Sequence, residues 1–234
     1  MDIQNQLKPD PLEIKRTLHL LDVGTDHLTE LRVLKARTKG TYQPYTFSGY
    51  FNDADALIRE VLRVETATGF YIILNRCMDD LLARRSNRAD RADKGETTAD
   101  REIARRTWLP IDLDAVRLAG ISSTDEEHQA AIDRARDVAC YLKSQGWPDP
   151  ILGDSGNGGH LLYKIDLPPD DGGLVERCLK ALHQRFSDAR VKVDTSVFNP
   201  ARIWKLYGTP VRKGDSTSNR PHRMARILEV PDGL

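Results

Sequence analysis

The run Leu109-Pro110-Ile111-Asp112-Leu113-Asp114 constrains the fold of this chain more than any other stretch. Strand side chains alternate between faces, so as a strand it sends its aliphatics one way and both carboxylates the other. The same test sends the valines of Val191-Lys192-Val193-Asp194 inward and Asp194 outward, and sets His160 opposite Leu161 and Tyr163. Three strands therefore offer Asp112, Asp114, Asp194 and His160 on a face that helices need not cover, a palm-like cleft. Pro110 cannot donate to a sheet and predicts an edge or irregular start there.

The elements around these strands form a mixed pattern. Helices are expected over 11–21 and 54–65, the second capped by Asn52 or Asp53, with strands at 31–36, 45–51 and 70–74. Residues 84–106 carry eight basic and five acidic residues with almost nothing apolar, which predicts an exposed, mobile insertion. A strand at 108–114 follows. Ser123 and Thr124, each with a glutamate three residues on, offer a capping box for a helix that Gly146 stops. Strands at 151–154 and 160–165 flank the turn Ser155-Gly156-Asn157-Gly158-Gly159. A helix at 174–186, a strand at 191–194 and a last strand at 223–230 complete the chain. The order β-α-β-β-α-β is ferredoxin-like or RRM-like, preceded by an α/β unit.

At 234 residues the chain is long enough to bury a core without staples. No apolar run approaches the roughly 20 residues of a membrane span. Met1-Asp2-Ile3-Gln4 lacks a signal peptide's basic and apolar regions, and three scattered cysteines give no zinc module. These features predict a cytoplasmic protein with no membrane partner. Thirty-five basic residues balance thirty-five acidic ones, yet the signs are segregated. Residues 199–228 hold seven basic residues against one acidic, whereas 112–137 hold seven acidic against three basic. That suits metal-assisted phosphate chemistry, and solvated helix faces produce similar runs.

Two aspartates two apart on a strand, with a third on a neighbour, can hold two hard cations through shared oxygens. Alone the D-x-D pattern is weak: Asp53-Ala54-Asp55 is another instance, and reads as a helix start. Asn157-Gly158 is by itself a hairpin turn; with three glycines, Ser155 as hydroxyl donor and His160 after it, the same turn could cradle a phosphate. His160 is either a structural residue or a triphosphate ligand. Arg202 and Lys205, three apart, with Arg212 and Lys213 beyond, make either a basic loop anchored by Trp204 or a phosphate-binding segment.

Together these residues resemble the archaeo-eukaryotic primase superfamily, the primase-polymerase (Prim-Pol) domains. The aspartate pair matches Ile111-Asp112-Leu113-Asp114, the small-x-His motif matches Gly158-Gly159-His160, and the hydrophobic-aspartate motif matches Val193-Asp194. The likeness runs from about Gly49 to Leu228. It is nearest to bacterial, phage and plasmid members, including CRISPR-associated primase-polymerases, through Asp154-Ser155-Gly156-Asn157-Gly158-Gly159-His160-Leu161-Leu162-Tyr163 and Lys205-Leu206-Tyr207-Gly208-Thr209 with Arg212-Lys213-Gly214.

The resemblance implies an α+β Prim-Pol fold: an N-terminal α/β unit (1–106) packed on an RRM-like catalytic unit (107–234), together one catalytic core, stand-alone or part of a longer protein. It implies Asp112, Asp114 and Asp194 as catalytic ligands of two Mg²⁺ or Mn²⁺ ions, and Ser155, Gly158, His160, Arg202 and Lys205 as nucleotide-binding residues. Arg212 and Lys213 are expected on nucleic acid. The implied activity is DNA primase or DNA polymerase, a nucleotidyltransferase of DNA replication. Its expected partners are nucleoside triphosphates, a single-stranded or primed DNA template, and a helicase or CRISPR-associated proteins. Two other classes stay open: a Mn-dependent D-x-D nucleotide-sugar transferase, which needs no template, and a non-catalytic RRM-like nucleic-acid-binding module. The latter asks for aromatics on the sheet face, and aromatics are only 6% of the chain.

Overall fold

The computed structural model describes residues 7–24 and 27–233, so the amino-terminal Met1–Gln4 expectation lies outside the described residues. Helix α1 (Pro11–Leu20) starts where Asp10 accepts from the N–H groups of Leu12 and Glu13, with proline in its first turn. Strands β1 (Thr29–Thr38) and β2 (Tyr45–Phe51) pair antiparallel. Asp53 caps α2 (Ala54–Leu62). This helix ends three residues earlier than its apolar spacing suggests, because β3 (Val64–Thr66) is drawn onto β1. Then come β4 (Gly69–Ile73), β5 (Arg76–Cys77) and β6 (Ala89–Arg91). The first sheet runs β4-β1-β2-β6 in this part of the chain.

The second half opens with the long β7 (Ile103–Ala115), followed by α3 (Asp125–Ser144), β8 (Ile151–Asp154), β9 (Gly158–Leu167), α4 (Leu174–Phe186) and β10 (Val191–Val193). Thr124 and Glu127 form the capping box of α3, and Gly146 follows it at a positive φ of 86°. Next, β11 (Ile203–Lys205) leaves this unit and pairs with β4 of the first sheet. The short β12 (Pro210–Val211) and β13 (Arg223–Met224) pair with each other, and β14 (Arg226–Glu229) closes the second sheet against β8. That sheet is antiparallel in the order β10-β7-β9-β8-β14. The expected single strand over 223–230 is thus divided between two partners.

The molecule is a mixed α+β structure built on two antiparallel sheets. One face of the second sheet gives Leu109, Ile111, Leu113, Leu161, Tyr163, Val191 and Val193 to a core closed by α3 and α4. Its opposite face gives Trp108, Ile151 and Leu162 to the core that holds α1, α2 and the first sheet. Pro110 pairs with Leu162 of β9, while on its other side the partners of β7 reach only residues 103–105 and 113–115. Proline is tolerated there because that side of the ladder is open.

Residues 84–106 depart from expectation: they are built into the fold. Residues 89–91 form the outer strand of the first sheet on β2, and Thr98, Ile103 and Arg106 are buried. Thr98 N–H donates to Glu30 Oε2 at 2.9 Å, Arg85 pairs with Glu96 at 2.6 Å, and Arg84 pairs with Glu102. Polar contacts and backbone pairing hold the segment, and neither leaves an apolar period to read.

Candidate active site

Alternation along β7 turns Asp112 and Asp114 away from the helices, and the register sets Asp112 opposite His160 and Asp114 opposite Gly158 on β9. At the end of β10 the Asp194 N–H donates to the Asp112 carbonyl at 2.8 Å, so the third motif begins beside the first. Crossing to the first sheet, β11 carries Trp204 and Lys205 over the same face. The result is a cleft of about 280 Å³ between the sheets. It is lined by Asp112, Asp114, Ser155, Asn157, His160, Val197, Arg202, Ile203, Trp204, Lys205, Lys213 and Tyr71 of β4.

Seven of the residues singled out by sequence meet there: Asp112, Asp114, Ser155, His160, Arg202, Lys205 and Lys213. Three do not. The Asp194 carboxylate caps the turn at Ser196 N–H (2.8 Å) and faces Arg202 Nη2 at 3.7 Å. Gly158 lies within β9, where an added Cβ would strike the Leu113 carbonyl, so its role is close strand packing. Arg212 turns its guanidinium to the Leu7 carbonyl (2.7 Å) and the Ala67 carbonyl (3.5 Å).

The glycine turn is not an open cradle. Gly156 N–H donates to Asp154 Oδ1 at 2.6 Å, Asn157 N–H to Ser155 Oγ at 3.2 Å, and Ser155 N–H to the Gly158 carbonyl at 2.9 Å. Asn157 Oδ1 in turn accepts from Ser123 N–H at 2.8 Å, tying the turn to the start of α3. What the turn offers the cleft is side chains, Ser155 and Asn157.

The segregated charges largely meet one another. Arg220 pairs with Glu127 at 2.8 Å and Arg223 with Asp125 at 2.6 Å, joining the basic segment to the acidic one. Arg226 faces Asp154 at 3.9 Å. Lys205, Lys213 and Arg212 are left, and among the described residues none of them forms an ion pair; Arg212 is taken up by backbone carbonyls. Lys205 is only 8% exposed; its Nζ donates to Tyr71 Oη at 2.8 Å and stands 4.1 Å from that ring's centroid. Burial and the Lys213 charge push the Lys205 ammonium down to about 7, against the opposing pull of Asp112 and Asp114. Tyr71 escaped the sequence reading, although its place between Phe70 and Ile72 marks it as the outward residue of that strand.

The carboxylates have the reverse deficit. Asp112 Oδ1 is buried without a hydrogen-bond partner, with His160 Nε2 3.5 Å away in ion-pair reach but outside hydrogen-bond geometry. Burial works against ionising Asp112, but a protonated His160 and the charges of Lys213 and Arg202 outweigh it and hold this carboxyl below its usual range. Asp114 goes the other way: burial raises it and the neighbouring Asp112 charge raises it further. One carboxylate stays ionised while its neighbour holds a proton longer.

A buried, unpartnered carboxylate oxygen beside a second carboxylate fits a hard cation. Among the described residues no three His, Cys, Asp or Glu side chains are grouped as a ready metal site. Asp112 and Asp114 are a pair, while the Asp194 carboxylate is engaged by Ser196 N–H and Arg202. The arrangement sets acceptors that want a cation against donors that want an anion, the two halves of a metal-bound phosphate ester.

Comparison with known proteins returns little at the level of sequence: no protein-family model and no curated protein matches the chain. Among solved structures, the chain is similar to the polymerase domain of Mycobacterium tuberculosis Ligase D in complex with DNA. That likeness has 16% identity over 92% of this chain and 80% of that one, with a TM-score of 0.47.

Proposed function

We propose that the cleft carries out template-directed nucleotidyl transfer, with nucleoside triphosphates as substrates and DNA as template. The observation that carries this reading is the pairing of deficits across 280 Å³: a buried Asp112 oxygen without a donor faces Lys205 and Lys213 without a carboxylate. A nucleoside triphosphate with a divalent ion supplies both missing partners at once.

In this reading Lys205, Lys213 and Arg202 hold the triphosphate, and His160 and Ser155 donate to its oxygens. The 3′-hydroxyl of the growing strand attacks the α-phosphorus; the new oxygen–phosphorus bond forms as the bond to pyrophosphate breaks. Mg²⁺ or Mn²⁺ bound at Asp112 and Asp114, with Asp194 when it leaves Arg202, would lower the pKa of the attacking hydroxyl and neutralise the leaving group. The basic wall orients the phosphates and the low-exposure floor limits water.

The test is a single assay that offers deoxy- and ribonucleotides to a primed and an unprimed template, with Mg²⁺, Mn²⁺ or chelator. Incorporation that depends on metal and template supports the reading, and product on the unprimed strand makes the enzyme a primase. Transfer that ignores the template, or a sugar moved from a nucleotide-sugar, overturns it.

A further inference from the structure

Behind His160 lies a chain of three hydrogen-bonding groups with a fixed direction. Trp204 Nε1–H donates to Tyr207 Oη at 3.1 Å, and Tyr207 Oη stands 3.0 Å from His160 Nδ1. All three side chains are buried, His160 at 2% exposure. An indole nitrogen can only donate, so the tyrosine oxygen accepts from it and keeps one proton of its own to give. Among the described residues the one acceptor in reach of that proton is His160 Nδ1. Burial keeps the phenol protonated, above its usual range.

From this geometry we infer that Trp204 and Tyr207 are positioning residues that lock His160 in the tautomer with its proton on Nε2. Giving the Tyr207 proton its one acceptor in reach puts the lone pair on Nδ1, so in the neutral imidazole Nε2 carries the proton and presents it towards Asp112 and the cleft. The ring plane is held as well: His160 and Trp204 lie at 3.9 Å between centroids with a 33° tilt. Gly153 of β8 makes room for the arrangement, since an added Cβ there would strike the Tyr207 hydroxyl. The site is thereby set to meet an acceptor, such as a phosphate oxygen, and to repel a donor. This rests on the triphosphate reading of the cleft, and it adds which residues make His160 a donor.

The experiment is ¹⁵N NMR of protein labelled at histidine, in metal-free buffer at about pH 8, where an ordinary imidazole is neutral. Titration with inorganic tripolyphosphate follows. The expected wild-type spectrum shows His160 with a protonated Nε2 and a bare Nδ1. Tyr207→Phe should mix the tautomers and weaken tripolyphosphate binding about tenfold, the scale of one charge-assisted hydrogen bond. Trp204→Phe keeps an aromatic ring beside His160 but frees the tyrosine oxygen to accept from Nδ1–H; it should show the same mixing with a smaller loss. If Tyr207→Phe does not fold, the wild-type spectrum and Trp204→Phe decide. A proton on Nδ1 in wild type, or unchanged tautomer and affinity in a folded variant, overturns the inference. The expected tautomer in a protein that binds no tripolyphosphate overturns instead the triphosphate reading on which the role depends.

Discussion

Two carboxylates with buried oxygens are treated in opposite ways in this molecule. Glu30, in the first sheet, is fully buried and fully partnered: Oε1 accepts from Arg32 Nε (2.9 Å) and Ser48 Oγ (2.6 Å), and Oε2 from Arg32 Nη2 (2.6 Å) and Thr98 N–H (2.9 Å). Asp112, in the second sheet, keeps a buried oxygen without a hydrogen bond, with His160 Nε2 at 3.5 Å. An isolated polar group in a dry interior is costly, so a fold keeps one only where something else completes it. Glu30 finishes the scaffold by fastening residues 84–106 to the sheet. Asp112 has no such set of partners, and in the proposed function a ligand supplies them.

The sharpest way to break this contrast is to remove each carboxylate. Glu30→Ala should cost about 3 to 5 kcal/mol, because it leaves the largely covered Arg32 without its carboxylate and frees Thr98 N–H. Asp112→Asn should cost clearly less, since it breaks no hydrogen bond and the favourable charges it gives up are partly offset by relief of the neighbouring Asp114. Urea or thermal unfolding of both variants beside wild type reads the difference. Equal losses would make Asp112 a scaffold residue like Glu30.

A second contrast sits in adjacent residues. Arg212 holds two backbone carbonyls and Lys213 reaches the cleft, so the two basic side chains should behave differently. Arg212→Ala should lower stability by about 1 to 3 kcal/mol, the scale of charged hydrogen bonds to backbone. Lys213→Ala should leave stability alone and flatten the salt dependence of nucleotide or DNA binding by about one counterion. Binding measured between low and high salt, paired with melts, separates them. Reversed outcomes would place Arg212 on the ligand and Lys213 in the scaffold.

The smallest effect is a titration. Asp114 has a raised pKa in the fold, so the native state takes up its proton before the unfolded chain does. Its unfavourable charge therefore weighs on stability above the folded pKa and disappears as pH falls towards the ordinary carboxylate value. Asp114→Asn should melt above wild type near neutrality, and the gap should close on acidification. Its half-exposed side chain keeps the effect small. A gap that widens on acidification would contradict the repulsion assigned to this pair.

The same contrast explains what could be read from the sequence. The two faces of β7 follow from alternation alone, and Asp53, Thr124 with Glu127, and Gly146 announce their helix ends by local chemistry. Residues 84–106 did not, because Glu30, Ser48 and Thr98 make a polar cluster from distant segments with no periodic trace. Gly156 and its neighbours looked like an open phosphate cradle, yet Asp154 and Ser155 take up their amides. Alternation placed Asp194 on a strand, whereas it falls just past β10, caps the turn at Ser196 and faces Arg202. Tyr71 and Tyr207 enter the site through sheet crossing and packing, which only the tertiary fold decides.

If nucleotidyl transfer completes Asp112, replacing this residue should cost chemistry rather than folding. Primer extension with Mn²⁺ is run on wild type and Asp112→Asn at equal folded fraction, checked by their melts. The account predicts steady incorporation by wild type and a loss of about a thousandfold or more in the variant, the several kcal/mol that metal-assisted charge stabilisation supplies. Extension by folded Asp112→Asn at the wild-type rate, or none by wild type under any metal and nucleotide, would contradict it.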